Sequence, residues 1–170
     1  LSYSQKFKNL INKEYIEAIQ LASALHDIGK IAVRDAILLK PGALTAEEFE
    51  FIKLHTIIGG QIIDECKKYI SNNLMLELAA EIAYYHHERW DGTGYNANLK
   101  AEQIPLSARI VAVADVYDTM TSERIYKSKM PHKEAFDYIA SQRCKHFCPD
   151  VTEAFIKVSN KFSDYKLREK

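Results

Sequence analysis

Two adjacent histidines, His86 and His87, close a stretch in which Leu74, Leu78, Ile82 and Tyr85 recur at a spacing near four. That spacing is helical, so the stripe predicts a helix that ends by presenting two imidazoles to the turn Glu88-Arg89-Trp90-Asp91-Gly92-Thr93-Gly94-Tyr95. Packing alone is a poor reason to put imidazoles there. Buried groups of this kind need hydrogen bonds, charge partners or a metal. The same residue types interrupt other apolar segments at His26-Asp27, His55 and Asp115, and the pattern points to a multinuclear metal site.

The rest of the chain reads as helices. Phe7, Leu10, Ile11, Tyr15, Ile16, Ile19, Ala22 and Leu25 predict two helices meeting near Asn12, the second delivering His26 and Asp27, with Gly29 as its ending position and Lys30 just beyond. Ala32 to Lys40 reads as a loop or short turn before Pro41-Gly42. Thr45-Ala46-Glu47-Glu48 has capping-box spacing. The helix it opens puts Phe49, Ile52 and His55 on an inward face, and Gly59-Gly60 allows a bend or a close helix approach. Asp91-Gly92-Thr93-Gly94 is a turn; it lacks the spacing of a phosphate-binding loop. Pro105 suits the first turn of a helix over Ala108 to Asp118, on which Asp115 and Asp118 share a face. Pro131 and Pro149 are placed to begin two more, and the polar tail predicts fraying from about residue 163. These elements give an all-α fold, a single compact domain over residues 1–170 with the metal site between core helices.

Composition narrows the function. Lys plus Arg and Asp plus Glu balance at 23 each, which gives no basis for holding a nucleic acid polymer non-specifically. No apolar run approaches the length of a membrane span and no signal-peptide pattern is present, so we expect no membrane contact by this segment and a cytoplasmic location. Cys66, Cys144 and Cys148 are odd in number and lack paired spacing, as in a reducing compartment. Cys144-Lys145-His146-Phe147-Cys148 gathers three soft-metal ligands, with buried or half-buried thiols as the alternative.

With His26-Asp27-Ile28-Gly29-Lys30, His55, His86-His87-Glu88-Arg89-Trp90-Asp91-Gly92-Thr93-Gly94-Tyr95 and Ile104-Pro105 through Asp115 in this order, the chain resembles the HD-GYP family of metal-dependent phosphohydrolases from about Tyr3 to Val158. The resemblance implies a helical domain that hydrolyses cyclic di-GMP to pGpG, with GMP after a second cut, at two divalent ions, iron or manganese. By motif position, His26, Asp27 and Asp115 resemble ligands of one ion. Asp27 bridges to a second ion held by His55, His86 and His87. Lys30 would stabilise phosphate charge, with Asp27 and Lys30 the catalytic residues, and Lys30, Arg124 and Lys127 would meet the substrate. The family also implies a sensor or receiver domain elsewhere in the full-length protein and a diguanylate cyclase as a partner.

Taken singly, each residue has a plainer reading: His55 as a hydrogen-bonded core residue, Asp115 paired with a buried arginine, Asp118 as a cap, Arg124 and Lys127 as solvated charges, Lys30 at a helix C-terminus, Tyr95 as a packing anchor. Three departures from the family stand out. Asn96 replaces the proline of the signature, which predicts altered loop stiffness. No histidine precedes His26, where family members usually supply one with a glutamate, so the first ion has fewer protein ligands here and a third is not expected. Leu1 is not an initiator methionine, which suggests a fragment or processed product. Lys145 and Cys148 stand where the family commonly has Gly and Asp, and His146 reads as structural. The alternatives to hydrolysis of cyclic di-GMP are a catalytically weakened module that binds cyclic di-GMP or a partner, and an HD phosphohydrolase for another nucleotide.

Overall fold

A computed structural model describes residues 1, 6–122 and 129–168, with side chains described as far as Ser159. Among the described residues there are seven α-helices and two short 3-10 segments; the only β feature is an isolated bridge between Arg143 and Phe147. The helices are α1 (Lys13–Ser23), α2 (Asp35–Leu38), α3 (Ala46–Lys67), α4 (Leu74–Tyr85), α5 (Leu106–Thr121), α6 (His132–Ser141) and α7 (Pro149–Arg168). No helix among them is long and apolar enough to cross a membrane.

α4 is the central element, packed against α1, α3 and α5. Ala79, Ile82 and Ala83 on it are almost fully buried, as are Ala22 of α1 and Ala108 of α5. Small side chains at these crossings let helix axes approach closely, and close packing of this kind is what a site built from several helices needs. The caps are local. Asn12 accepts from the Tyr15 N–H at 2.8 Å, Asn73 accepts from the Leu76 N–H at 3.1 Å, and Thr45 with Glu48 forms a complete capping box.

Three features depart from the periodicity. Residues 6–10 form turns, so of the two helices expected before His26 only the second is present among the described residues. Phe7 and Ile11 still bury themselves in the core. A one-turn helix, α2, lies in the segment expected to be a loop or short turn. α7 keeps helical backbone to Arg168, beyond the position where polar composition predicts fraying.

Gly29 also differs from its expected role. α1 ends at Ser23, and the chain then passes through a turn into a 3-10 segment, Ile28–Ala32, that contains Gly29. A Cβ on Gly29 would lie 1.9 Å from the His55 carbonyl oxygen and 2.5 Å from the Gly59 nitrogen. Glycine is required there because two backbones touch. Gly59 and Gly60 serve the same close packing without bending α3, which runs unbroken past them. The contact sets His26 and Asp27 beside the middle of α3, where His55 lies.

Candidate metal centre

The six expected ligands reach the centre from four parts of the chain. His26 and Asp27 come from the turn after α1, His55 from α3, His86 and His87 from the end of α4, and Asp115 from α5. His55 and His86 are 1% and 2% exposed. Ligand atoms of Asp27, His55, His86 and His87 all lie within 4.8 Å of one another, an arrangement able to hold a metal ion. His26 and Asp115 adjoin it: His26 Nε2 is 3.2 Å from Asp27 Oδ2 and 3.8 Å from Asp115 Oδ1.

Backbone carbonyls orient the rings. His26 Nδ1 is 2.8 Å from the Ser23 oxygen, His55 Nδ1 is 2.6 Å from the Ile52 oxygen, and His86 Nδ1 is 2.8 Å from the Ile82 oxygen. A carbonyl oxygen only accepts, so each Nδ1 carries a proton, and in the neutral ring Nε2 is left with a bare lone pair. The Nε2 atoms of His55 and His86 face each other at 3.5 Å. Asp27 Oδ1 is 3.3 Å from the first and 3.9 Å from the second. The shorter contact is a hydrogen bond only if His55 Nε2 carries a proton, and the Ile52 carbonyl already claims that ring's one proton. Asp27 Oδ1 is accordingly a buried acceptor without a donor. Three acceptors that face one another repel unless a cation lies between them, so this donor set fits a metal.

The charges agree with that arrangement. Burial pushes His86 down to about 4, against the opposing pull of its carbonyl partner, and burial with the neighbouring His86 and His55 pushes His87 well down too. Both rings are therefore neutral at physiological pH, the form that binds metals. Burial works to raise the Asp27 carboxyl, but the side chains beside it, His26 first, then His55 and Lys30, outweigh burial and hold it far below the usual range. The Asp27 hydrogen bond raises His26 against its own burial, and burial raises Asp115. Asp27 thus divides its oxygens, with Oδ2 toward His26 and Lys30 and Oδ1 toward His55 and His86.

Lys30 sits at the rim, its side chain 41% exposed and its ammonium 2.5 Å from Asp27 Oδ2. Tyr95 packs its ring on His87 at a centroid distance of 4.9 Å, in the anchoring position expected of it. Asp118 is exposed and accepts from the Ser122 hydroxyl. His146 lies apart from the cluster, half-buried and stacked on Phe147; Cys148 is buried, and Cys66 and Cys144 are exposed. Arg124 and Lys127 fall outside the described residues.

Glu88 carries a role that motif reading leaves unassigned. It is 2% exposed and accepts from the Ala97 N–H at 2.8 Å and the Leu99 N–H at 3.1 Å, pinning the loop that follows the histidine pair. The only sequence signal for it is a carboxylate placed between two histidines and a glycine-rich turn.

A family profile described as an HD domain matches residues 4–151. The chain belongs to the HD domain family, on its HD-GYP branch. Relatives include a cyclic di-GMP phosphodiesterase of Thermotoga maritima, 50% identical over 94% of this chain and 42% of its own length. Another is the cyclic di-GMP phosphodiesterase response regulator RpfG of Xanthomonas campestris, 42% identical over 86% of this chain and 38% of its own length. A 3'3'-cGAMP-specific phosphodiesterase of Vibrio cholerae is 36% identical over 94% of this chain and 30% of its own length. The chain therefore spans less than half the length of these relatives.

Proposed function

We propose that this domain hydrolyses cyclic di-GMP at two divalent cations, iron or manganese, giving the linear pGpG and, after a second cut, GMP. One observation carries the proposal: the buried, donorless Asp27 Oδ1 and the Nε2 lone pairs of His55 and His86 converge on one point. Asp27, His55, His86 and His87 would hold one cation, and His26, Asp27 and Asp115 the other, with Asp27 shared through its two oxygens. A set of imidazoles and carboxylates suits borderline and hard cations better than soft ones. When bound, such a pair supplies a water of lowered pKa and neutralises charge on phosphoryl oxygens.

The chain's own residues supply orientation. The Ile52 and Ile82 carbonyls keep the His55 and His86 imidazoles in one tautomer, so that no proton has to leave Nε2 of either before a ligand bond forms, whereas His26 gives up the Nε2 proton it shares with Asp27. Lys30 already lies against Asp27 Oδ2 with its side chain partly exposed. Once that oxygen has another partner, the ammonium turns to a substrate phosphate. Arg124 and Lys127 are assigned to the same substrate by motif position. In the reaction, a water oxygen bonds to phosphorus and gives up a proton as the opposite bond from phosphorus to the ribose oxygen breaks, and the departing oxygen takes up a proton in its place.

The relative named for 3'3'-cGAMP supports a second reading, in which the same centre cleaves that mixed cyclic dinucleotide. The RpfG relative, named a response regulator, supports a receiver domain in the full-length protein, which we place in the cytoplasm with a diguanylate cyclase as a partner. The test is chromatography of cyclic di-GMP and of 3'3'-cGAMP after incubation with full-length protein fully loaded with manganese or iron. Appearance of pGpG supports the first reading, and turnover of cGAMP alone supports the second. Both substrates intact under full metal occupancy would defeat both.

A further inference from the structure

Asn96 stands where the family signature has proline, and its side chain does something proline cannot. It donates from Nδ2 to the Lys53 carbonyl oxygen of α3 at 2.9 Å and to the Thr56 hydroxyl of the same helix. Thr56 is fully buried and is held in turn to the Lys53 carbonyl at 3.1 Å. These two partners flank His55 in sequence. The residue before Asn96 is Tyr95, whose ring lies against His87 on one side and meets Phe49 and the Lys53 ammonium on the other.

We propose that Asn96 is a positioning residue of the metal centre: its amide ties the Tyr95 loop to α3 and so holds the His87 ring in register with His55. The inference rests on the metal reading above. Its physical content is a closed path. His55 belongs to α3; α3 holds Asn96 through Lys53 and Thr56; Asn96 carries Tyr95; Tyr95 packs on His87, which lies 5.2 Å from His55, ring centre to ring centre. On the far side of the loop, Glu88 anchors Ala97 and Leu99. Cutting the tie at Asn96 leaves the loop hydrogen-bonded from the Glu88 side and held to α3 only through the Tyr95 ring contacts with Phe49 and Lys53, so Tyr95 can lift from His87 and the imidazole can turn away from the cluster.

The experiment is titration of the full chain with Mn²⁺ alone, followed by calorimetry, for the natural sequence, Asn96→Ala, Thr56→Val and the double variant. Asn96 lies on the surface and its truncation opens no core cavity, so the variant stays folded and its melting temperature falls by only about 2–4 °C, the loss of about one hydrogen bond in a domain of this size. The expected result is a Kd for Mn²⁺ weakened about fivefold in Asn96→Ala, the fold-change that one ordinary intramolecular hydrogen bond supplies. The double variant should bind Mn²⁺ about as weakly as Asn96→Ala alone and not by the sum of the two effects, because both substitutions cut the same tie. In turnover of cyclic di-GMP, KM at saturating Mn²⁺ should stay constant, while the Mn²⁺ concentration giving half-maximal rate rises. An unchanged Kd in Asn96→Ala, with the natural sequence binding Mn²⁺ normally, overturns the role of Asn96 and leaves the metal reading standing. Absence of Mn²⁺ binding by the natural sequence removes both.

Discussion

His55 and His86 come from different helices and meet Nε2 to Nε2 at 3.5 Å, with both Nδ1 atoms already bonded to carbonyl oxygens. Neither ring has a proton to offer the other, so the contact is unfavourable until a cation enters. Metal binding should therefore stabilise the fold. At one hundred times its dissociation constant a ligand of the native state adds about 2.7 kcal/mol, which for a domain of this size raises Tm by about 5–10 °C. Scanning calorimetry with Mn²⁺ and then with excess chelator checks it, and a Tm indifferent to both would remove the cation from between these rings.

Asp27 offers one oxygen to His26 and Lys30 and the other to His55 and His86. If the centre holds the two cations proposed above, Asp27→Ala should lose both together, where loss of a ligand to one alone would leave the other in place. Elemental analysis of the purified variant is the measurement; two ions retained at full occupancy would show that this carboxylate does not bridge.

Gly29→Ala tests the junction that brings the two halves of the site together. Its Cβ would meet the backbone of His55 and Gly59, and neither is a flexible side-chain end that can swing aside. Overpacking of this kind costs about 1–3 kcal/mol and occasionally more, and here it also pushes Asp27 away from His55. Urea denaturation should show the lower midpoint, with weaker Mn²⁺ binding alongside. Natural stability in this variant would mean that the 3-10 segment does not need the close approach.

Helical spacing was enough to place α3, α4 and α5, because each buries one continuous stripe and begins at a recognisable cap or proline. The cluster of side chains was legible for a different reason: imidazoles and carboxylates at the ends and inner faces of apolar helices have few other uses. What escaped is tertiary. Phe7, Leu10 and Ile11 have helical spacing and α1 does begin at the Asn12 cap, near the expected junction, yet residues 6–10 close only into turns, with the Leu10 and Ile11 N–H groups both on the Phe7 carbonyl. Gly29 has the local look of a helix stop, while its real constraint is a carbonyl on α3 that no local pattern encodes. Asn96 signalled only a lost proline, since its partners on α3 are remote in sequence.

Glu88→Gln isolates the buried carboxylate behind the histidine pair. Both Glu88 oxygens accept backbone N–H groups, and an amide can accept only one of them while turning its own NH₂ toward the other. Leaving a buried donor unsatisfied costs about 1–3 kcal/mol. We expect a lower denaturation midpoint and faster amide hydrogen exchange at Ala97 and Leu99. Unaltered exchange at those two amides would remove Glu88 as the loop's anchor.

His146 gives the fold a pH dependence that is separable from the metal centre. Burial, aided by the nearby Arg89, depresses it from the ordinary 6.5 to about 4, and its Nδ1 is buried without a partner. The unfolded chain therefore binds a proton at this ring more readily than the folded chain does. Stability is unaffected above pH 6.5, falls as pH drops from 6.5 to about 4, and levels off below that, once both states are protonated. His146→Gln cannot take up the proton, so the difference in unfolding free energy between it and the natural sequence should change steadily across this window and stay flat above it. Denaturant titrations at half-unit pH steps resolve the slope, and a difference independent of pH would show that His146 titrates normally in the fold.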